Sequence, residues 1–284
     1  MNLIYMKHII NRRKFLELFG CSCCGLLVSS CSTVPITERR QLTIFPENRI
    51  NRQAAAIYQN FKTKTKLITS GNDLKQIEEI GQRIQYSVST FFTKRNQVDP
   101  TKNFEWEYVL VDNDKVKNAW CMPGGKIAVY TGMLKITENK HGLAVVMGHE
   151  IAHAVAKHSI ERQSQATTVN VGTQILDVFI TGGNIGRTRN TIGKHTNIDI
   201  YKIGILNPFS RKQESEADYL GLIFSSLAGY DIRESVKLWQ RMAEKNKGKE
   251  PPVFLSTHPS SKKRIENLNN WINEVMIKYP PIKI

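Results

Sequence analysis

Beyond its N-terminal segment, the sequence lacks long apolar runs. None of them approaches the ~20 residues that a membrane-spanning helix needs, which argues against a polytopic membrane protein. The 18 glycines follow no fixed period and 8% of the residues are aromatic, so a collagen-like chain and a disordered chain are both excluded. A chain of 284 residues is long enough to bury a substantial core.

Acidic residues are few compared with basic ones. The chain has 25 Asp and Glu against 40 Lys and Arg, a formal net charge of +15. Such an excess favours anionic partners, which include lipid headgroups and nucleic acid. The basic residues are scattered and are not interleaved with aromatic residues, so we expect no nucleic-acid partner and interpret the charge as a solvated surface near anionic lipid.

Cysteine is nearly absent from the body of the chain. Four of the five cysteines lie between residues 21 and 31, and the fifth is Cys121. A lone cysteine cannot form an internal disulfide, so the body of the chain is not expected to be cross-linked. Cys121 itself is expected to be a small buried apolar residue.

The first thirty residues have the composition of an export signal. A basic segment precedes a short apolar stretch that ends in small residues, so residues 1–30 are predicted to be removed. Val28-Ser29-Ser30-Cys31 resembles a bacterial lipobox, which predicts a lipid on Cys31; an ordinary secretory signal or an uncleaved anchor is the alternative. The pair Arg12-Arg13 resembles a twin-arginine signal, although Glu17 lies within the apolar stretch.

The remaining sequence divides into a polar tether and one folded domain. Residues 31–45 are predicted to be the tether and residues 46–284 the domain. We interpret residues 181–206 as a mobile insertion or lid and residues 247–259 as a loop. Hydrophobic periodicity predicts helices over 46–65, from 72, over 141–158, 212–228, 231–245 and from 260 or 261 to 276, and strands over 104–111 and 119–130.

One motif carries recognisable chemistry. His149-Glu150-Ile151-Ala152-His153 is an H-E-x-x-H, and on a helix residues four apart face the same side, so the two imidazoles can share a metal ion. Glu150 lies beside that face, where it can act as a general base. The surrounding residues are almost all apolar, so the helix must be buried, and burying these polar groups without partners would be costly.

A catalytic zinc site needs a third protein ligand. The sequence offers Glu214 and Asp218, an i, i+4 pair on a helix that is apolar elsewhere. We assign Glu214 to the metal and Asp218 to the outer N–H of a ligand histidine. Glu216 is expected to face solvent; an ordinary charged helix face is the alternative for the whole segment.

These residues resemble the M48 zinc metallopeptidases, the Ste24/HtpX-like enzymes, and among them the soluble bacterial periplasmic lipoproteins. The resemblance lies in His149-Glu150-x-x-His153, in Glu-x-Glu-Ala-Asp-x-x-Gly from Glu214 to Gly221, in Asn118 to Ile127, and in Ser256-Thr257-His258-Pro259 followed by Arg264-Ile265. It implies an α+β, mainly helical zincin (gluzincin) fold with a small sheet beside the zinc helix. It also implies one Zn²⁺ per chain, held by His149, His153 and Glu214.

The resemblance further implies a zinc-dependent endopeptidase that cleaves unfolded or misfolded envelope proteins, using zinc-activated water with Glu150 as the base. A zinc-stabilised periplasmic chaperone or binding module with little proteolytic activity is the alternative. The implied location is the periplasmic side of the bacterial cell envelope, with the chain held to a membrane by the lipid on Cys31. Ser32 after that cysteine favours the outer membrane.

Two further assignments follow from the resemblance. The strand Lys126 to Tyr130 would be the sheet edge to which an extended peptide adds, with Gly125, Lys126, Ile127 and Ala128 as substrate-binding residues. His258 would either stabilise the developing oxyanion or gate the metal; a loop histidine ahead of a helix is the alternative. His158 and His195 are expected to have no functional role.

Overall fold

A computed structural model of the chain describes residues 31–181, 208–245, 253–259 and 262–283, without the side chains of 170–181 and 245. Over these residues the fold is mainly helical with two small sheets, which confirms the predicted class. None of the described helices is long and apolar enough to cross a membrane. In chain order the elements are β1 (Cys31–Thr33), β2 (Arg40–Leu42), α1 (Glu47–Lys64), β3 (Leu67–Ile68), α2 (Asn72–Thr93), β4 (Glu107–Val111), β5 (Ala119–Met122), β6 (Lys126–Tyr130), α3 (Thr131–Thr137), α4 (Lys140–Val155), α5 (His158–Thr181), α6 (Arg211–Leu227), α7 (Glu234–Lys245), α8 (Val253–Thr257) and α9 (Lys262–Lys278).

The centre of the fold is the crossing of α4 and α6. Helix α4 begins after Asn139, whose side chain accepts hydrogen bonds from the backbone N–H groups of His141 and Gly142, and from Gly142 to Val155 every residue of it is buried. At the crossing, a Cβ built on Gly221 would lie 2.9 Å from the backbone N of His149, and one built on Gly148 would lie 2.9 Å from the carbonyl oxygen of Gly221. Glycine at both positions therefore lets the two backbones touch.

A four-stranded sheet covers one side of α4. Its strand order is β3-β4-β6-β5, with β4 and β6 parallel and the outer pairs antiparallel. The turn between β5 and β6 contains Gly124 and Gly125 at φ of 84° and 81°, a region that favours glycine. Strand β5 lies at the sheet edge that packs against α4, and β6 lies inside the sheet.

The segment that the sequence analysis expects to be a tether is folded onto the domain. Strands β1 and β2 form an antiparallel hairpin, which we call the N-terminal hairpin (residues 31–42). Val34 in its turn is 1% exposed and packs in the main core. Polar composition suggested a tether, but the polar side chains of this hairpin, above all Arg39, have buried partners in the domain.

The predicted helices agree with the structure in most places, but the three helices α3, α5 and α8 were not predicted. The predicted helix over 141–158 ends at Val155, and a turn with Lys157 at φ 57° starts a new helix, α5. The predicted loop over 247–259 contains the short helix α8. Gly229 follows α6 at φ 83°, the left-handed conformation that commonly ends a helix. The predicted lid over 181–206 lies outside the described residues apart from Thr181.

Candidate metal centre

The two histidines of the H-E-x-x-H motif face each other on α4. Their Nε2 atoms are 3.1 Å apart, and both side chains are buried. Two ring nitrogens at this distance can share one proton or one cation. The helical spacing therefore produces the convergence that the sequence predicts.

Glu214 reaches the same point from α6. Its Oε1 lies 3.5 Å from Nε2 of His153, and its Oε2 lies 3.6 Å from Nε2 of His149. Helix α6 begins with a capping box in which Ser210 and Gln213 exchange hydrogen bonds, and this fixes the first turn that carries Glu214. The close glycine crossing places that turn against His149 and His153. The structure thus brings the three predicted ligands together.

His258 is the fourth member of this group. It follows α8, and its Nδ1 lies 2.9 Å from Oε1 of Glu214 and 3.2 Å from Nε2 of His149. One ligand atom from each of His149, His153, Glu214 and His258 lies within 4.8 Å of the others. The interpretation of His258 as an ordinary loop histidine is therefore wrong, because its ring is buried among the predicted ligands.

The donor set fits a zinc ion. Imidazole nitrogens and one carboxylate are ligands that zinc commonly takes in catalytic sites, and they must be deprotonated to bind. Burial holds the pKa of His153 well below its usual value. Burial acts to raise the pKa of Glu214, but the neighbouring His258 and His153 lower it well below the ordinary value. A neutral imidazole and an ionised carboxylate are the forms that a cation requires.

Glu150 lies beside the group rather than in it. Its Oε1 is 3.3 Å from Nε2 of His258, and its carboxylate accepts a hydrogen bond from the backbone N–H of Cys121 on β5. Burial raises the pKa of Glu150 in spite of the opposing influence of His258 and His149. A carboxylate with a raised pKa next to a cation site has the position and the proton affinity of a general base.

Asp218 supports His149 from behind. Its Oδ1 lies 3.0 Å from Nδ1 of His149. Arg264 of α9 binds the same carboxylate with two hydrogen bonds of 2.7 Å, and its third nitrogen lies 2.8 Å from Oε2 of Glu214. The structure thus places Asp218 where it can orient the outer nitrogen of a ligand histidine. The resemblance includes Arg264 in the C-terminal motif, but the sequence does not show that it binds Asp218 and Glu214.

The expectation that Glu216 faces solvent is wrong. The expectation that His158 has no functional role did not foresee that its ring contacts both Glu216 and His153. Glu216 is 8% exposed, and its Oε2 lies 2.9 Å from Nε2 of His158. The other ring nitrogen of His158 lies 2.8 Å from Nδ1 of His153. Helical periodicity could not show this contact, because the turn at Lys157 breaks the helix between the two histidines.

Phe209 is a further contact that sequence reasoning missed. Its ring stacks on His153 with 3.9 Å between centroids and an angle of 26° between the planes. Arg162 of α5 covers the ring of Phe209 at 4.1 Å. An aromatic ring against a ligand imidazole keeps water from that side, but no motif marks Phe209 in the sequence.

The predicted substrate strand needs correction. Gly125, Lys126, Ile127 and Ala128 were expected at a sheet edge, but β6 is flanked by β4 and β5. The prediction placed β6 at the edge of the sheet. Because β6 pairs with β4 on one side and with β5 on the other, β5 is the edge strand instead. The edge nearest Glu150 is β5, whose residue Cys121 touches that carboxylate.

Comparison with known proteins places these observations in a family. The family described as "Peptidase family M48" matches residues 79–272. The mitochondrial metalloendopeptidase OMA1 of Schizosaccharomyces pombe is 31% identical over 278 residues, which cover 94% of this chain and 74% of the yeast protein. The human mitochondrial metalloendopeptidase OMA1 is 27% identical over 280 residues, which cover 95% of this chain and 52% of the human protein.

A bacterial relative matches a shorter part. The beta-barrel assembly-enhancing protease of Yersinia pestis is 27% identical over 179 residues, which cover 60% of this chain and 35% of that protein. The chain thus spans three quarters of the fission yeast protein, about half of the human protein and about a third of the bacterial one.

The predicted location is contradicted by these relatives. The sequence analysis placed the chain at the periplasmic side of a bacterial envelope, yet relatives from yeasts, a plant and vertebrates are named as mitochondrial. The N-terminal pattern of charge, apolar residues and cysteine on which that location rested lies mostly outside the described residues, and Cys31, the predicted lipid site, is exposed at the start of β1.

Proposed function

Because the chain belongs to peptidase family M48, we propose that it is a zinc-dependent endopeptidase that cleaves extended segments of unfolded or misfolded polypeptides. One observation carries the proposal. His149, His153 and Glu214 converge within a few ångströms of one another, and Glu150 lies beside them without being one of them. A chain that used a metal only to stabilise a binding module would not need a buried carboxylate in that place, so the geometry favours hydrolysis.

The residues present define the parts of the reaction. His149, His153 and Glu214 would hold the zinc ion, which when bound acts as a Lewis acid on a carbonyl and makes water more acidic. Glu150 would accept the proton of the attacking water at its carboxylate and return it to the leaving amine. Its buried position beside the group suits both steps, since the carboxylate must bind the proton and then release it.

Strand β5 is the place where a substrate would bind. It is the sheet edge next to Glu150, and extended peptides commonly add to such an edge as a further strand. In this structure the α8 segment contacts the chain just before that strand, since the N–H of Phe254 donates to the carbonyl oxygen of Lys117 at 3.2 Å. Because the same segment carries His258, we propose that His258 gates the metal and that substrate displaces it.

The central experiment combines metal and activity measurements. We expect the purified chain to contain one zinc ion by elemental analysis and to cleave casein until a chelator is added. Glu150→Gln should keep zinc and fold and lose cleavage by about 10²–10⁴-fold, the usual contribution of a general base. Undiminished turnover by that variant would remove Glu150 from the mechanism, and unchanged zinc content in Glu214→Ala would remove Glu214 from the ligand set.

The gating role of His258 predicts a gain rather than a loss. Replacing His258 by Ala removes one donor from the four-residue group and leaves His149, His153 and Glu214 in place. We expect faster casein cleavage with zinc retained. A loss of activity with unchanged zinc would instead assign His258 to stabilisation of the oxyanion.

Attachment to a membrane through a lipid on Cys31 is a separate part of the proposal. The exposure of Cys31 and the residues Val28-Ser29-Ser30 before it support it. Intact mass spectrometry of the chain from its producing cells, against a Cys31→Ser control, tests it: an added lipid mass absent from the control is expected, and identical processing of both chains would contradict it.

A further inference from the structure

The N-terminal hairpin reaches the back of the metal centre. Arg39, which follows its turn, donates from Nε to Oε2 of Glu216 at 2.8 Å. Thr37 of the same turn donates to the other oxygen of Glu216. Both oxygens of this carboxylate are therefore held by residues that lie about 180 positions earlier in the chain.

Arg39 also binds a second carboxylate. Its two terminal nitrogens donate to the two oxygens of Glu161 on α5 at 2.7 and 2.8 Å. Oε2 of Glu161 accepts a further hydrogen bond of 2.8 Å from Gln213, the residue before Glu214. One guanidinium thus ties α5 to α6 directly behind His153 and Glu214.

A series of hydrogen bonds leads from Arg39 through Glu216 and His158 to His153, and its donors and acceptors can be assigned in only one consistent way. Glu216 is an acceptor, so His158 donates to it from Nε2. A neutral His158 then presents a lone pair at Nδ1, which accepts from Nδ1–H of His153 at 2.8 Å. His153 is left with its lone pair on Nε2, the atom that faces His149 and Glu214.

The protonation states of the intermediate groups agree with this direction. If Nε2 of His153 binds the metal, the proton of that ring is on Nδ1, so Nδ1 of His158 must accept it and the His158 ring is neutral. The carboxylate of Glu216 accepts hydrogen bonds from Thr37, Arg39 and His158, as an ionised acceptor does. A neutral ring between an ionised carboxylate and a ligand histidine can transmit orientation without carrying charge.

We propose that Arg39 of the N-terminal hairpin is a positioning residue of the metal centre, acting on His153 through Glu216 and His158. The inference rests on the proposed zinc site. Groups that orient a ligand imidazole commonly change metal affinity by about 10–100-fold when they are removed. On this proposal the hairpin is part of the site, although Arg39 lies outside every motif of the sequence.

Zinc affinity is the first test. We expect Arg39→Gln in the full chain to bind zinc about tenfold more weakly in competition with a fluorescent chelator. Arg40→Gln is the matched control, since Arg40 is the next residue of the hairpin and is exposed. Equal affinities of the two variants would overturn the proposal, whereas absence of zinc binding in the unchanged chain would instead refute the proposed function.

A double-mutant cycle tests the route. If Arg39 acts through His158, then Arg39→Gln should cause no further loss of zinc affinity in a His158→Phe background. Losses that multiply would mean that Arg39 acts independently of His158 and would contradict the proposal.

Nitrogen NMR of the histidine rings remains informative if His158→Phe does not fold. In the zinc-loaded unchanged chain we expect His158 to carry its proton on Nε2 and His153 on Nδ1, and Arg39→Gln to mix the His158 tautomers while Arg40→Gln leaves them unaltered. A His158 ring protonated on Nδ1 in the unchanged chain would overturn the direction of the hydrogen bonds.

Discussion

The two histidines of one motif are supported in different ways. His149 meets the carboxylate of Asp218 directly, and Arg264 holds that carboxylate from α9. His153 meets a second histidine first, and only beyond it a carboxylate held by the N-terminal hairpin. We call these the direct support and the relayed support. Identical residues four positions apart can thus depend on quite different parts of a chain.

The difference has a geometric origin. Asp218 lies one turn after Glu214 on α6, and the glycine crossing brings that face against α4. On the side of His153, α4 ends two residues later, and the turn at Lys157 places His158 between the helix end and Glu216. A carboxylate that cannot touch the ligand directly needs an intermediate that donates on one side and accepts on the other, which neutral histidine does.

The largest effect is expected from breaking the direct support. Asp218→Asn leaves the buried guanidinium of Arg264 without the charge that two of its nitrogens bind. We expect a loss of about 3 kcal/mol in the free energy of unfolding, as for other buried pairs that lose one partner. Zinc affinity should fall by about 10–100-fold.

Denaturant unfolding and chelator competition measure both quantities. Glu266→Gln is the control, because Glu266 is an exposed carboxylate on the helix that carries Arg264. If Asp218→Asn had the same free energy of unfolding and the same zinc affinity as that control, the direct support would not stabilise the site. The two histidines would then not differ in the energy of their support.

An intermediate effect is expected at the helix crossing. The methyl group of Gly221→Ala would lie 2.9 Å from the backbone of His149. Backbone atoms cannot rotate away as a side chain can, so the two helices would have to move apart. We expect a loss of about 1–3 kcal/mol in the free energy of unfolding, the usual cost of overpacking. The displacement of α6 should also move Glu214 and Asp218 away from His149.

Gly71→Ala is a useful counterpart for this experiment, since a Cβ at Gly71 would meet no atom within 4 Å, although its φ of 120° strains any other residue. Zinc affinity should therefore fall in Gly221→Ala and remain unchanged in Gly71→Ala. Equal zinc affinities in both variants would contradict the importance of the crossing for the site.

The smallest effect is expected from pH, and it separates the two supports. The pKa of His158 is lowered by burial, so the unfolded chain binds its proton at a higher pH than the folded chain does. Stability from the neutral ring is complete above about pH 6.5, the unfolded value, and is lost as the pH falls through the lowered folded value. Burial acts to raise the pKa of Asp218, but Arg264 and His149 lower it. The direct support therefore fails only in acid, below the ordinary carboxyl pKa of 3.8.

Denaturant unfolding of chelator-treated protein at pH 7.5 and 5.5 measures this difference. The unchanged chain should lose up to about 1 kcal/mol more on acidification than His158→Phe, one pKa unit corresponding to about 1.4 kcal/mol. Equal losses in both chains would show that the relayed support does not depend on the neutral ring of His158.

The sequence was most informative about residues that lie a few positions apart on the same helix, because their spacing determines which side chains face the same way. His149 and His153 share one face of a helix with Glu150 beside it, and Glu214 and Asp218 share one face of another, so periodicity alone predicted these positions. The resemblance that these residues carry implied the M48 peptidase family and a mainly helical fold; the family match confirms the first and the structure confirms the second. The direct support belongs to this predictable part as far as Asp218.

The rest could not be predicted because it depends on where separate segments meet. Arg39 belongs to a segment whose polar composition suggested a tether, and its partners Glu161 and Glu216 follow 122 and 177 residues later. The strand order that makes β5 the edge depends on a parallel pairing that local patterns do not encode. His158 follows a break in helical phase, so its spacing from His153 carried no signal.

The wide separation of Arg39 and Glu216 has a consequence for synthesis. Both carboxylates that Arg39 binds, and Glu214, the proposed third ligand, leave the ribosome long after the hairpin does, and Arg264 follows later still. Contacts of such long range form slowly, because the intervening chain must first be ordered. A chain that ends before Glu214 therefore carries the H-E-x-x-H motif without the carboxylate, the second histidine-bearing segment and the arginine that complete the group.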